Sequence, residues 1–217
     1  MLERIKMSRN TKDNILYNAL ELFNTKGESE VTLRDIASAC DMSLGNLAYH
    51  YKNKSYIISA LFRNMLEERK QILRKVKELP RFQTLNDQME PLIELNYNYR
   101  FFYLDATNIE RNHPTIGRLQ SRYAKFLISY VHSAMEYTVA TENMKPEKIK
   151  GHYIKVAEIC WTLFNYSIER NLVLEGTSNV NARELRLMLW NVIYPHLTEK
   201  GFKTLRKVLV QDLESIQ

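Results

Sequence analysis

VTLRDIASACDMSLGNLAYHYKNK, residues 31–54, is the stretch that decides the fold. Leu33, Ile36, Ala37 and Cys40 follow the i, i+3, i+4, i+7 spacing of a buried helix face. Thr32 stands before them as an N-cap, with Asp35 three positions on to complete a capping box. Asp41-Met42-Ser43 interrupts that face. Ser43 is a second N-cap, and the helix it opens turns Leu47 and Tyr51 inward, one turn apart. Leu44, Gly45, Asn46, Ala48, Tyr49 and His50 are left pointing elsewhere. Two helices of about two turns each cannot bury enough surface to stand alone. The pair needs a third helix behind it and a use for the outward face of its second member. A helix-turn-helix that offers its second helix to the DNA major groove meets both conditions. No Asp or Glu occurs from Met42 to Leu66, whereas Lys52, Lys54 and Arg63 do, so this region attracts a polyanion.

Outward from this stretch, the supporting helix lies upstream. Thr11 to Lys26 carries a stripe of Ile15, Ala19, Leu22 and Phe23 and ends at Gly27 as a C-cap. Before it, Met1 to Asn10 is a polar arm that is either a disordered terminus or a contact from Arg4, Lys6 or Arg9 to phosphate or minor groove. Downstream, Ser55 is placed to cap a long helix with apolar positions from Ile57 to Leu79, nearly to Pro80. Some 24 helical residues span roughly 36 Å, enough to join two domains and carry movement between them.

The whole of 10–66 resembles the DNA-binding domain of the TetR family of bacterial transcriptional regulators. The likeness rests on TLRDIA (32–37), the S-x-G-N-L of 43–47 and the Tyr49-His50-Tyr51-Lys52-Asn53-Lys54 tail. It implies a domain at 8–55 that binds DNA and a helical ligand-binding and dimerisation domain at 56–217. It also implies that the helix from Ser43 enters the major groove, with Ser43, Leu44, Gly45, Asn46 and Tyr49 facing the bases. Asn46 has an amide suited to adenine, and Leu44 can pack on a thymine methyl. Thr32, Tyr49, His50 and Lys54 become phosphate contacts, which position the protein without reading sequence. His50 has the alternative role of a helix-terminal hydrogen-bond donor. Tyr51 reads as core. Ala48 stands where many relatives carry an aromatic, implying one phosphate contact fewer.

Beyond Thr84 the chain changes character. Tyr97, Tyr99, Phe101, Phe102 and Tyr103 crowd a helix that runs to about Asn112 and breaks at His113-Pro114. Further helices are expected with Leu119 to Tyr137, from Pro146 through Leu172 to Gly176, over 182–194 behind an Asn181/Glu184 capping box, and after Gly201 with Phe202, Leu205, Leu209 and Leu213 on one side. No period-2 run, Asn-Gly hairpin or internal repeat is found. The fold class is therefore all-α, with eight to ten helices; the resemblance implies that they form an N-terminal three-helix helix-turn-helix domain and a larger helical effector and dimerisation domain. Tyr99 to Asp105, YRFFYLD, is similar to a TetR subgroup of bacterial transcriptional repressors.

Aromatics at helical spacing are usually core. The family likeness nonetheless implies a small-molecule pocket in the second domain, with Tyr99, Arg100, Tyr103, Phe126, Tyr130, Trp161 and Asn165 as candidates and a small apolar or aromatic effector. Arg100 and Asp105 equally suit an internal ion pair. The likeness further implies a homodimer built on the helices of 146–174 and 182–194, reading a pseudo-palindromic double-stranded operator.

Composition agrees. The chain has 217 residues, a net charge of +6 and two cysteines, Cys40 and Cys160, far apart and without metal-ligand spacing. No disulfide framework, metal or cofactor is expected, and a reduced cytoplasm fits. No signal peptide or membrane span is expected. With only six glycines and no GxSxG, HExxH or phosphate loop, an enzyme is not expected. The readings that compete with a ligand-released regulator are a non-specific architectural DNA binder and a helical ligand carrier with a vestigial motif.

Overall fold

A computed structural model describes residues 10–74 and 81–214. Within them the regular elements are twelve α-helices and one 3-10 turn, with a single isolated β-bridge between Met144 and Leu197. The all-α class expected from the sequence holds. The basic arm and the stretch from Lys75 to Pro80, where the long helix was expected to end, lie outside the described residues.

The chain forms two compact units, one from residues 1–68 and 98–118, the other from 69–97 and 119–217. This differs from a division in chain order at residue 55. The reason is burial: Ile57, Ile58, Leu61, Phe62 and Met65, all past that point, are sealed from solvent alongside the upstream helices.

In the first unit, α1 (Thr11–Lys26) starts at Asn10, whose side chain accepts from the Lys12 amide, and stops at Gly27. Gly27 has a φ of 85° and donates to the Phe23 carbonyl, so a glycine is needed there. Its buried stripe is Ile15, Leu16, Ala19, Leu20 and Phe23; Leu22, expected inside, is only half-buried. Helices α2 (Leu33–Ala39) and α3 (Leu44–His50) follow. Next comes α4 (Lys54–Arg74), which starts one residue before the expected cap. Asn53, not Ser55, does the capping, because its Oδ1 accepts from the Tyr56 amide at 3.2 Å.

The single helix expected up to Asn112 is three: α5 (Phe82–Asn98), α6 (Phe101–Leu104) and α7 (Ala106–Asn112). A side chain inserted into the hydrogen-bond ladder divides the first two. Asn24 of α1 donates to the Asn98 carbonyl at 2.8 Å and accepts from the Phe101 amide at 3.2 Å. At the second break the Asp105 carboxylate accepts from the Glu28 amide at 2.9 Å. Between these ties, Phe101 and Phe102 pack on Phe23 and Phe62 with ring centroids 5.1 and 5.3 Å apart.

In the second unit α8 (Pro114–Ala140), which begins in the first, is followed by α9 (His152–Asn165), α10 (Ser167–Glu175), α11 (Ala182–Ile193), a 3-10 turn at Tyr194–His196 and α12 (Glu199–Glu214). Pro146 does not open a helix. Gly151, with a φ of 81°, turns the chain into α9, and the Glu147 carboxylate accepts from the Gly151 and Tyr153 amides at 3.0 and 2.6 Å. The expected run through Leu172 breaks at Tyr166 and ends, as expected, at Gly176. Asn181 caps α11 by accepting from the Glu184 amide. Gly201 lies inside the first turn of α12 rather than ahead of it. Leu205 and Val208 are buried there, whereas Phe202 is exposed. Packing of α9 on α11 brings Tyr153, Val156 and Ala157 together with Leu185, Leu189 and Trp190.

Candidate functional site

The helix-turn-helix is held by local chemistry. Thr32 Oγ1 accepts from the Asp35 amide at 3.2 Å, while the Asp35 carboxylate takes both the Thr32 amide and its hydroxyl, at 2.8 and 2.6 Å. Those bonds from Thr32 hold the Asp35 carboxyl below its usual range. Met42, at the start of the turn, follows Asp41, which has a φ of 52°. Ser43 Oγ then accepts from the Asn46 amide at 3.1 Å and starts α3.

Only one residue anchors α3 inward: Leu47 is fully buried. Leu44 is 41% exposed and Tyr49 85% exposed, and Ser43, Gly45, Asn46 and Ala48 are exposed with them. A side chain on Gly45 would meet nothing nearer than Ser43 Oγ at 3.9 Å, so the glycine leaves a flat outer surface rather than relieving a clash. His50 packs its ring edge-on to Tyr49, centroids 5.3 Å apart. Tyr51 closes the helix half-buried, its phenol pushed above the usual value by desolvation. Lys52 and Arg63 are exposed beside this surface in sequence.

Lys54 departs from the expected arrangement. Its Nζ donates to the Glu28 and Val31 carbonyls at 2.7 and 3.1 Å and pairs with Glu28 Oε1 at 2.9 Å. The ammonium has three N–H donors, and all three have partners inside the protein. It therefore ties α4 to the α1–α2 loop, with the nearly buried Glu28 as its counter-ion. His113 Nε2 lies 3.8 Å from the same carboxylate oxygen, Glu28 Oε1.

The second unit contains a partly open cavity of about 120 Å³. α5 supplies Phe82 and Gln88, α8 supplies Tyr130, Met135 and Thr138, α9 supplies Trp161 and Cys160, and α11 supplies Trp190. Phe82 and Trp190 meet edge to face, and Trp190 Nε1 donates to Asn86 Oδ1 at 3.0 Å. Tyr130 donates to Gln88 Oε1 at 3.1 Å. Burial pushes the Cys160 thiol up to about 12, so it stays protonated.

Two family models match the chain. That of bacterial regulatory proteins of the tetR family covers residues 15–61, and that of TetR bacterial transcriptional repressors covers 61–205, well over half the chain. The chain belongs to the TetR family. A probable HTH-type transcriptional regulator of Bacillus subtilis, YttP, is 28% identical over 116 residues, 54% of this chain and 51% of that protein. An uncharacterised HTH-type regulator from the dhlA 5' region of Xanthobacter autotrophicus is 41% identical over 56 residues, 25% of this chain and 28% of the relative. The matched stretches thus span about half and about a quarter of those relatives. Among solved structures, a TetR-family transcriptional regulator of Marinobacter aquaeolei VT8 aligns with a TM-score of 0.81 at 22% identity, over 94% of this chain and 98% of that one. The fold is shared along nearly the whole length.

Within this TetR chain the outward surface of α3 contains most of the residues expected to touch DNA. The expected pocket residues are scattered. Tyr130 and Trp161 line the cavity. Tyr99, Arg100 and Tyr103 belong to the first unit, where buried Tyr99 donates to Glu68 at 2.7 Å. Phe126 faces outward, and Asn165 spends its amide on the Trp161 carbonyl. The α5 side of the cavity was missed. Its signal was present in Phe82, Leu85, Met89 and Leu92, spaced as one helix face, with Gln88 as the one amide among them.

Proposed function

We propose that this chain is a sequence-specific transcriptional repressor that acts as a homodimer in the bacterial cytoplasm and is released from its operator by a small molecule. The observation that carries the reading is the outward surface of α3, where Leu44, Asn46 and Tyr49 stand exposed on a helix anchored by Leu47. Exposure of an aromatic and a leucine has no folding benefit, and both suit a major groove. Ser43, Gly45 and Asn46 complete the base-facing set. Tyr49 and His50 supply phosphate contacts, and Thr32 contributes where its capping bonds allow. One α3 makes too few contacts for specific affinity, whereas two about 34 to 36 Å apart read successive major grooves of a pseudo-palindrome.

Dimerisation is supported by Ile159, Tyr166 and Val173, exposed apolar residues seven positions apart along α9 and α10. Binding of an effector in the second unit would favour a different spacing of the two recognition helices, with α4 as the covalent link. A coupling of about 1 to 3 kcal/mol changes operator affinity roughly 5- to 150-fold.

The test is a fluorescence anisotropy titration against DNA from upstream of the protein's own gene, with scrambled DNA as control, at two salt concentrations. Preference for the upstream DNA on the order of a thousandfold supports specific readout. Equal and steeply salt-dependent binding to both would replace it with architectural binding through phosphates.

A further inference from the structure

The cavity of the second unit is lined by one buried amide, Gln88. Gln88 is 5% exposed and its Oε1 is taken by Tyr130, yet its Nε2 has no partner among the described residues. A buried amide nitrogen without an acceptor is unfavourable unless something occupies the space it faces. Two other polar groups of the wall are satisfied: Thr138 donates its hydroxyl to the Ala134 carbonyl, and Trp190 donates to Asn86. Among the described residues, no Asp, Glu, Lys, Arg or His lines the cavity.

We infer that the cavity takes an uncharged, mainly apolar molecule with a body the size of one ring and a single hydrogen-bond acceptor, which Gln88 Nε2 recognises. The inference rests on the reading of the chain as an effector-released regulator and specifies the chemical class of the effector. A carboxylate would leave water for a wall whose described residues offer no cation, and an ammonium for one whose described residues offer no anion. Both are strongly disfavoured. Size follows from the volume: an apolar cavity of roughly 150 Å³ stays dry and admits benzene. Met89, Met135 and Met144 in the wall give it room to adapt to somewhat larger guests.

The chain carries its own reporter, because both of its tryptophans, Trp161 and Trp190, line the cavity. The experiment titrates the full-length protein with four probes of similar size: acetophenone, cumene, benzoate and benzyltrimethylammonium. Tryptophan fluorescence and melting temperature are followed. Acetophenone is expected to bind about tenfold more tightly than cumene, the value of one hydrogen bond of about 1.4 kcal/mol. Benzoate and benzyltrimethylammonium are expected not to bind. In Gln88→Met the preference for acetophenone disappears while cumene still binds, and that retained binding shows the variant is folded. Tighter binding by either charged probe, equal binding of acetophenone and cumene by the unaltered protein, or no binding by any probe overturns the inference. These arms need no DNA. Adding acetophenone to the complex with upstream DNA tests the underlying reading separately: selective binding without release leaves the ligand class standing and removes the effector-released mechanism.

Discussion

At the scale of residues, Tyr49 and Lys54 stand five positions apart and do opposite work. Tyr49 is almost wholly exposed, so Tyr49→Ala is expected to move stability by less than about 0.5 kcal/mol and to weaken operator binding about tenfold. Lys54 neutralises Glu28 inside the first unit and fills two carbonyls. Lys54→Ala leaves a buried carboxylate uncompensated, with an expected loss of about 3 kcal/mol. Urea unfolding alongside anisotropy separates the two: the tyrosine variant fails only in the second measurement, the lysine variant already in the first. Gly201 offers a third case. An added Cβ would lie 1.8 Å from the Asn143 carbonyl oxygen, which is backbone. In an open helix Gly→Ala gains about 0.5 to 1 kcal/mol. Here the overlap outweighs that gain, and Gly201→Ala should destabilise by about 1 to 3 kcal/mol in urea titrations.

At the scale of elements, helices are divided or started by side chains that come from elsewhere. Asn24 bridges the gap between α5 and α6 with two hydrogen bonds, and Asn24→Ala should lower stability by about 2 kcal/mol in urea unfolding. Glu147 plays the equivalent part at the start of α9. The amides of Tyr153 and Gly151 hold its carboxyl below the ordinary value of 4.5. Its contribution is therefore complete above about pH 4.5 and is lost as pH falls through the lowered value. Melting curves of the unaltered protein should drop more steeply on acidification below pH 4.5 than those of Glu147→Gln. These elements also show what the sequence conveys. Bounds set by local signals were legible: Thr11 to Lys26 closed by Gly27, the Thr32/Asp35 box, and the Ser43 and Asn181 caps all stand where the residues put them. Bounds set across the chain were not. Nothing between Tyr97 and Asn112 announces that Asn24 interrupts the ladder. The start of α9 was missed for a local reason: Glu147 accepts from amides four and six residues ahead, which reading Pro146 as a helix start passes over. The site divides in the same way. The outward face of α3 follows from the period of its apolar residues, whereas the cavity joins five helices, so aromatic content alone drew in Tyr99 and Phe126, which lie elsewhere.

At the scale of the whole molecule, the exposed apolar series on α9 and α10 bears on assembly. Val173 is 81% exposed, so Val173→Asp should leave the isolated chain stable while shifting sedimentation from dimer to monomer, with operator affinity falling as the second recognition helix is lost. The first unit, in turn, is assembled from two separate passes of the chain. Phe101 and Phe102, which pack on its α1 and α4, come some thirty residues after residue 68, beyond all of α5. During synthesis the helix-turn-helix therefore leaves the ribosome without part of its hydrophobic core and must wait, as an incomplete intermediate, until residues 98–118 emerge. A nascent chain stalled before that point is expected to bind DNA more weakly than the finished chain, because the core behind its recognition helix would lack Phe101 and Phe102.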